Sequence, residues 1–305
     1  MSDAIFKFSL NRKTLFFTIF VAEERLSERP TLSLQDNQNE PKMKIAILGA
    51  GNMGCAIACG LVGSGRYRAE EIVCTARTAP TLERLRTLCP GVRTTTDNAD
   101  AVRGAAVVML AVKPWLVEPL IREIRREIDP DRQSVVSVAA GVSLAQLSEW
   151  LTADRAAHPA LFRAIPNTAI AVRQSMTFVS VRGADAARTE RVMELFRELG
   201  EAMLVEEPML ETGMILASCG IAFALRYVRA AVEGGVELGC PPQQATRIVA
   251  ATLRGAAELL LQRGDHPEAE IDRVTTPGGI TVRGLNEMER AGFSSAVIRG
   301  LKACK

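Results

Sequence analysis

Three glycines in the segment GAGNMG, at positions 49–54, have the spacing that the pyrophosphate of a dinucleotide requires. Gly49 permits a tight turn, Gly51 lets the pyrophosphate approach the backbone, and Gly54 lets a helix pack closely against a strand. The phosphates would bind amide groups at a helix N-terminus. We therefore predict that the whole segment contacts a nicotinamide dinucleotide: Gly49, Ala50, Gly51, Asn52, Met53 and Gly54.

The residues after the next apolar run indicate which nicotinamide dinucleotide binds. An NAD site usually has Asp or Glu there, which bonds the ribose 2′-hydroxyl. This chain reads CTARTAP at 74–80, without an acid. Arg77 and Thr78 suit a 2′-phosphate, because a guanidinium and a hydroxyl both donate to phosphate oxygens. The pattern favours NADPH and leaves NADH open; a solvated surface Arg77 without a ligand is the alternative.

Two more stretches, AVKP and AAG, end apolar runs and are predicted to line the nicotinamide. Ligands of open α/β sheets bind beyond the carboxyl ends of the strands, where these stretches fall. We assign Lys113 to cofactor contact rather than to proton transfer, and Asn98 to the adenosine end. The contacts predicted here are Ala111, Val112, Lys113, Pro114, Ala140 and Gly141.

A second candidate site is the segment TTPGGIT at 275–281, which joins two helical stretches. We expect a helix to begin after Thr281, so that the loop amides lead to its positive end. Adjacent glycines let an anion approach the backbone, and the threonine hydroxyls supply further donors. An ordinary helix–helix turn explains the segment equally well from the residues alone.

These residues need elements to position them, and the apolar pattern from Met43 onward supplies them. Seven predicted strands alternate with helices up to about residue 206, which indicates a parallel, doubly wound Rossmann sheet. Beyond Glu207 only helical patterns follow. We therefore predict an α/β fold with a dinucleotide-binding domain at 43–206 and an all-helical domain at 207–305.

The first long helix of the second domain, predicted over Glu211–Leu238, is apolar on most of its surface and rich in Ala and Gly. A helix that is apolar all round needs burial on all sides. A domain of about 100 residues buries too little surface alone. We expect this domain to dimerise with a second copy; a monomer with one central helix is the alternative.

Composition excludes several classes of function. A formal net charge of +2 is too small for a nucleic-acid-binding surface, and two histidines rule out chemistry that needs several imidazoles. Seven cysteines without a CxxC pair predict small buried side chains in a reducing cytoplasm, and no metal site.

Residues 1–42 differ from the rest of the chain. An Arg-Lys pair precedes a short apolar run, but Phe20 stands where a signal peptide has a small residue. The run is too short to span a bilayer. We expect a disordered leader or a misassigned start, with Met43 as a good natural first residue.

Six motifs cover nearly all of the core in this order: GAGNMG, AVKP, SVAAGV, IPNTAIAV, EGGVELGCP and VTTPGGITVRGLNEMERAGF. Their order and spacing resemble those of pyrroline-5-carboxylate reductases. The last motif is the most specific. The resemblance implies the final step of proline biosynthesis, in which NAD(P)H gives hydride to the C=N carbon of 1-pyrroline-5-carboxylate. It also implies a homodimer through the helical domain, which commonly assembles into decamers.

The same resemblance assigns roles to individual residues. Thr281 matches the threonine that bonds the ring nitrogen, and we take it as the catalytic residue. Glu207 matches an acidic residue near the substrate. The carboxylate loop supplies the remaining substrate contacts: Thr276, Gly278, Gly279 and Ile280.

One segment departs from the family. Where members usually have SGSGPAY on the long helix, this chain has ASCGIAF at 217–223. The change leaves open a related NADP-dependent reductase of another cyclic imine, such as piperideine-6-carboxylate. A non-catalytic NADP-binding regulator is the alternative from another class. A β-hydroxyacid dehydrogenase is disfavoured, because the interdomain helix carries Arg226 and no lysine.

Overall fold

A computed structural model describes residues 43–153 and 158–305. By its contacts, the chain from 42 to 305 forms one compact unit, so the expected boundary at 206 is not marked by a separation and stays a prediction. The expectations for residues 1–42 lie outside the described part of the chain.

Eight strands form one sheet in the order β3-β2-β1-β4-β5-β6-β7-β8. They are β1 (Ile45–Leu48), β2 (Ile72–Thr75), β3 (Arg93–Thr95), β4 (Val107–Leu110), β5 (Ser134–Ser137), β6 (Ala160–Ile165), β7 (Ser175–Arg182) and β8 (Gly200–Leu204). The expected α/β fold is confirmed. Because β1 pairs with both β2 and β4, the strand order reverses beside it, and that is where such sheets bind ligands.

Two details of the sheet differ from the expectation. Strand β3 was not anticipated, because Arg93–Thr95 is a three-residue, partly exposed edge strand without an apolar run. Strand β7 runs antiparallel to β6, so the sheet is not wholly parallel. A 3-10 turn, Thr168–Val172, ends at Arg173 with φ 55° and reverses the chain between them without a helical crossover.

Helices cover both faces of the sheet, so its central strands β1, β4 and β5 are fully buried. One face packs against α1 (Asn52–Gly63), α2 (Ala79–Leu88) and α6 (Ala186–Arg197). The other packs against α3 (Asn98–Val102), α4 (Val117–Ile124) and α5 (Leu144–Thr152). Continuous apolar strands such as VVML at β4 are what such a two-sided cover requires.

The chain after β8 is helical, as expected. Its helices are α7 (Met209–Gly213), α8 (Gly220–Glu237), α9 (Pro242–Arg263), α10 (Pro267–Val274), α11 (Ile280–Arg290) and α12 (Phe293–Lys302). A π-helical segment, Met214–Cys219, joins α7 to α8, so the long helix starts slightly earlier than predicted and is not a regular α-helix throughout.

Among the described residues, the helix Met209–Glu237 is long and apolar enough to cross a membrane, judged by length and composition. The core helix of an assembled soluble protein passes the same test. In a single chain its last 18 residues, α8, include no buried residue.

Candidate active site

The glycine turn has the geometry that its sequence predicts. Gly49 has φ 112°, and a Cβ there would lie 2.6 Å from the Ala111 carbonyl oxygen. A Cβ on Gly54 would lie 2.0 Å from the Gly49 carbonyl oxygen, so helix and strand approach too closely for a side chain. Gly51 faces open space and is the N-cap of α1, whose first turn carries no acid. An anion can therefore reach the α1 amides.

The residues predicted to bind the 2′-phosphate follow the end of β2, and their contact with a phosphate stays a prediction. Arg77 and Thr78 are both exposed, and Thr78 is the N-cap of α2 with its hydroxyl 2.9 Å from that of Thr81. Asn98 is already engaged: it accepts from the Thr75 hydroxyl at 2.6 Å and donates to Glu123 at 3.1 Å. These bonds weaken the expectation that the Asn98 side chain contacts adenosine.

The two stretches predicted for the nicotinamide follow neighbouring parallel strands. Ala111 comes directly after β4 and donates its amide to the Leu48 carbonyl, which ties it to the glycine turn. Lys113 is exposed at the start of a 3-10 turn. Ala140 and Gly141 are exposed after β5, and Gly141 has φ 78°. The carboxyl ends of β1, β4 and β5 thus meet at one edge of the sheet.

A cleft of about 660 Å³ opens beside the β5 end of that edge. It lies between the sheet and the start of the helical region, where a small substrate would meet the nicotinamide. Its walls are formed by Ala140, Gly141, Ser143, Arg163, Ile165, Glu207, Pro208, Leu210, Glu211 and Met214. It therefore includes the two predicted cofactor contacts after β5 and the predicted acid Glu207.

Glu207 is held within this wall by two hydrogen bonds to one carboxylate oxygen. The Leu144 amide, the first of α5, donates to its Oε1 at 2.8 Å, and Arg163 Nη1 donates to the same atom at 3.0 Å. A carboxylate at a helix N-terminus is favoured by the partial positive charge there. Its predicted substrate contact stays a prediction.

The glycine-rich loop at 275–281 is a tight turn followed by a helix. The Gly279 amide donates to the Thr276 carbonyl at 2.8 Å, and Gly278 has φ 71° after Pro277, the signature of a type II turn. Helix α11 begins at Ile280, one residue before Thr281 rather than after it, because Gly279 is the N-cap. No side chain caps this N-terminus, and the predicted contact of the loop amides with an anion stays a prediction.

This loop is not part of the cleft in the described residues of one chain. Ile280 is 81% exposed, and Thr281 is exposed as well. No loop residue lines the cleft. The cleft and the loop, which the prediction assigns to one site, therefore lie apart within a single chain.

Sequence reasoning missed Arg163, which faces the cleft from the middle of β6. A charged residue inside the apolar run LFRAIPN was the available signal, since buried arginines are almost always paired. Its partner lies 44 positions away, so spacing alone does not identify it.

The cysteines do not add a site. Cys55, Cys74 and Cys89 are buried as expected, whereas Cys304 is exposed. Burial, together with the neighbouring Cys89 thiol, raises the pKa of Cys59 to about 12, which makes this thiol a poor nucleophile. Within residues 43–153 and 158–305, no group of three or more His, Cys, Asp or Glu has the arrangement of a metal site.

Comparison with known proteins decides what this arrangement is. Residues 207–305 match the family model "Pyrroline-5-carboxylate reductase dimerisation", and residues 44–141 match "NADP oxidoreductase coenzyme F420-dependent". Pyrroline-5-carboxylate reductase 2 of Dictyostelium discoideum is 37% identical over 88% of this chain and 91% of its own length. This chain belongs to the pyrroline-5-carboxylate reductase family. The family inferred from the motifs is confirmed, and so is its enzyme class, oxidoreductases that act on a C=N bond.

Two other family members agree. Pyrroline-5-carboxylate reductase 1 of the same organism is 39% identical over 84% of this chain, which spans 48% of that longer protein. The structure of the Coxiella burnetii pyrroline-5-carboxylate reductase superposes with a TM-score of 0.78, with 27% identity, over 87% of this chain and 96% of that one. The match to an NADP oxidoreductase model over the glycine turn supports a nicotinamide cofactor.

Proposed function

We propose that this chain reduces 1-pyrroline-5-carboxylate to L-proline, with hydride supplied by NADPH. The main support for this proposal is a cleft of about 660 Å³ that opens at the same sheet edge as the dinucleotide turn. In addition, the last third of the chain matches the dimerisation segment of this family. The proposal divides the chain at 206/207 into a cofactor domain and a dimerisation domain.

The cofactor lies along the carboxyl edge of the sheet in this proposal. Its pyrophosphate binds the α1 amides, and its nicotinamide rests against the stretches after β4 and β5. When bound, the reduced nicotinamide supplies the hydride. The chain's own task is to place the imine carbon against that ring, since orientation contributes much of the rate in such reactions.

Thr281 is proposed to bond the ring nitrogen, and the loop amides at 278–280 to hold the substrate carboxylate. The α11 N-terminus supports this role, because no side chain caps it and its first amides carry the partial positive charge of the helix. The Gly279 amide also donates to the Thr276 carbonyl within the type II turn. A hydroxyl at the nitrogen orients the imine and relays a proton to it. No imidazole is required, in keeping with a chain that has only two histidines.

Dimerisation is proposed to complete the site. Since the loop lies outside the cleft of its own chain, the loop of one protomer and the cleft of its partner would enclose the substrate. The expectations of a decamer and of a cytoplasmic location belong to the same proposal; light scattering of the purified protein and imaging of the tagged chain test them.

The decisive experiment follows NADPH oxidation with two imines. We expect turnover with 1-pyrroline-5-carboxylate at least tenfold above that with piperideine-6-carboxylate. Turnover of piperideine-6-carboxylate alone would favour the alternative that the ASCGIAF segment leaves open, a reductase of another cyclic imine. Absence of turnover with either imine by a dimeric, NADPH-binding protein would overturn the proposal.

The choice of NADPH is tested at Arg77. We expect Arg77→Ala to raise the KM for NADPH by about tenfold or more, because a charge-assisted bond to phosphate is lost. The KM for NADH should change less than twofold. Arg122→Ala, on the exposed face of α4, is the control. Equal effects on both cofactors would show that Arg77 does not bind the phosphate.

A further inference from the structure

One ion pair joins three parts of the molecule that must keep a fixed geometry during hydride transfer. Arg163 belongs to β6 of the sheet, and Glu207 stands between β8 and α7, at the entry to the helical region. Both line the cleft, and Glu207 also binds the first amide of α5. The segment held by this bond, 138–144, is the connection that carries the predicted nicotinamide contacts.

Ala139 and Val142 anchor that connection to the core under the sheet, and its other hydrogen bonds lie near its two ends. At its start, the Val138 amide donates to the Leu110 carbonyl at 3.1 Å, and at its far end Ser143 forms a capping box with Gln146. Between them, Ala140 and Gly141 are exposed and have no side chain that reaches a partner. Among the hydrogen bonds of the described residues, the one that the Leu144 amide donates to Glu207 joins this connection to the helical region.

Arg163 is well placed to hold the Glu207 carboxylate in position. Its side chain is 16% exposed and that of Glu207 30% exposed, so the pair is partly shielded from water. The strand fixes its backbone through register pairs with Ser137 on β5 and Ser180 on β7. Partly buried ion pairs of this kind cost most when one partner is removed, because the other charge stays behind unpaired.

We propose that Arg163 and Glu207 are a positioning pair that holds the β5–α5 connection against the helical region and so sets the nicotinamide for hydride transfer. The inference rests on the proposed function. It gives Glu207 a role that works through the backbone of the connection, distinct from a direct bond to substrate.

Three variants test it: Glu207→Gln, Arg163→Met and the double variant. We expect each single variant to lower kcat about tenfold with the KM for the imine and for NADPH changed less than threefold. The double variant should lose no more than either single one, because both remove the same interaction. Arg163→Lys should have a higher kcat than Arg163→Met, because it keeps the positive charge. Glu118→Gln, which breaks an exposed pair on α4, is the matched control and should be unchanged.

Hydrogen exchange supplies a readout that does not depend on turnover. Amides of the peptide 138–146 should exchange faster in Glu207→Ala than in wild type, while those of β1 and β4 stay protected. An increased KM for the imine with kcat intact would mark Glu207 as a substrate ligand and overturn the proposal. A lower melting temperature with kcat and exchange unchanged would overturn it as well. An inactive wild type would count against the proposed function alone, since the exchange result still stands.

Discussion

The sheet region and the helical region use similar apolar side chains in opposite ways. Up to β8, the strands and the helices on them bury nearly every large apolar residue within the chain. After residue 206, the buried apolar residues among those described are Leu210, Ile215 and Ala245. Exposed ones run along the helices: Leu225, Tyr227, Val236, Ile248, Leu261, Val297 and Ile298. The sheet region buries its apolar residues within one chain, whereas the helical region leaves apolar residues exposed on its surface.

This difference explains why the cofactor half of the proposed site is formed within one chain, whereas the substrate half is not. A Rossmann sheet positions the cofactor with bonds inside one chain, such as those from the Gly49 and Ala50 amides to the Thr75 carbonyl. The helical region leaves an open groove of about 490 Å³ between α8 and α9, lined by apolar residues such as Leu225, Val228 and Val232. A second copy is the occupant that the dimerisation match supports. Binding of a second copy would bury the groove and would also place the substrate loop of one chain at the cleft of the other.

The largest expected effect comes from mixing two inactive chains. Gly51→Val should block the pyrophosphate without disturbing the fold, since that position faces open space. Thr281→Ala should lower turnover by about 100- to 10,000-fold, the range for a lost proton-transfer group, and leave NADPH binding nearly intact. A purified heterodimer of the two should regain about half of wild-type turnover, because one of its two composite sites is intact.

The reciprocal heterodimer is the control for this result. With both substitutions in one chain and none in its partner, every site formed between chains carries one defect, and turnover should be lost. The opposite pattern, an active reciprocal heterodimer and an inactive mixed one, would mean that each chain builds its site alone.

The next effect compares one leucine from each region. Leu88 on α2 is 60% exposed and Leu225 on α8 is 61% exposed, so exposure does not distinguish them. Leu225→Lys would bury a charge in the proposed interface, which costs about 2 kcal/mol or more. Sedimentation should show the dimer Kd raised about 30-fold or more. Leu88→Lys should leave the dimer unchanged, and equal behaviour of the two would place the interface elsewhere.

Local signals made half of this site predictable from the sequence. The glycine turn and TTPGGIT depend on backbone conformations that only particular residue types adopt, so their motifs carry the geometry with them. Strand β3 and the reversed β7 depend on pairing with distant strands, and no local pattern records that. The same holds for the Arg163–Glu207 bond and for the exposed loop. The π-helical segment could not be predicted from the hydrophobic pattern either, because the apolar residues around Met214 fit a regular α-helix equally well.

The smallest expected effect is the dependence of stability on concentration. If the helical region completes its core with a second copy, its unfolding includes dissociation, and each tenfold dilution lowers the unfolding free energy by about 1.4 kcal/mol. For a chain of 305 residues that is a fall in melting temperature of about 1–2 °C. The probe should be local, such as hydrogen exchange of α8 amides during a thermal ramp at two concentrations. Exchange in β1 and β4 should shift less, because their packing is complete within one chain. A melting profile of α8 that does not change on dilution would mean that this helix is stable without a partner. The contrast between the two regions would then need a cause other than assembly.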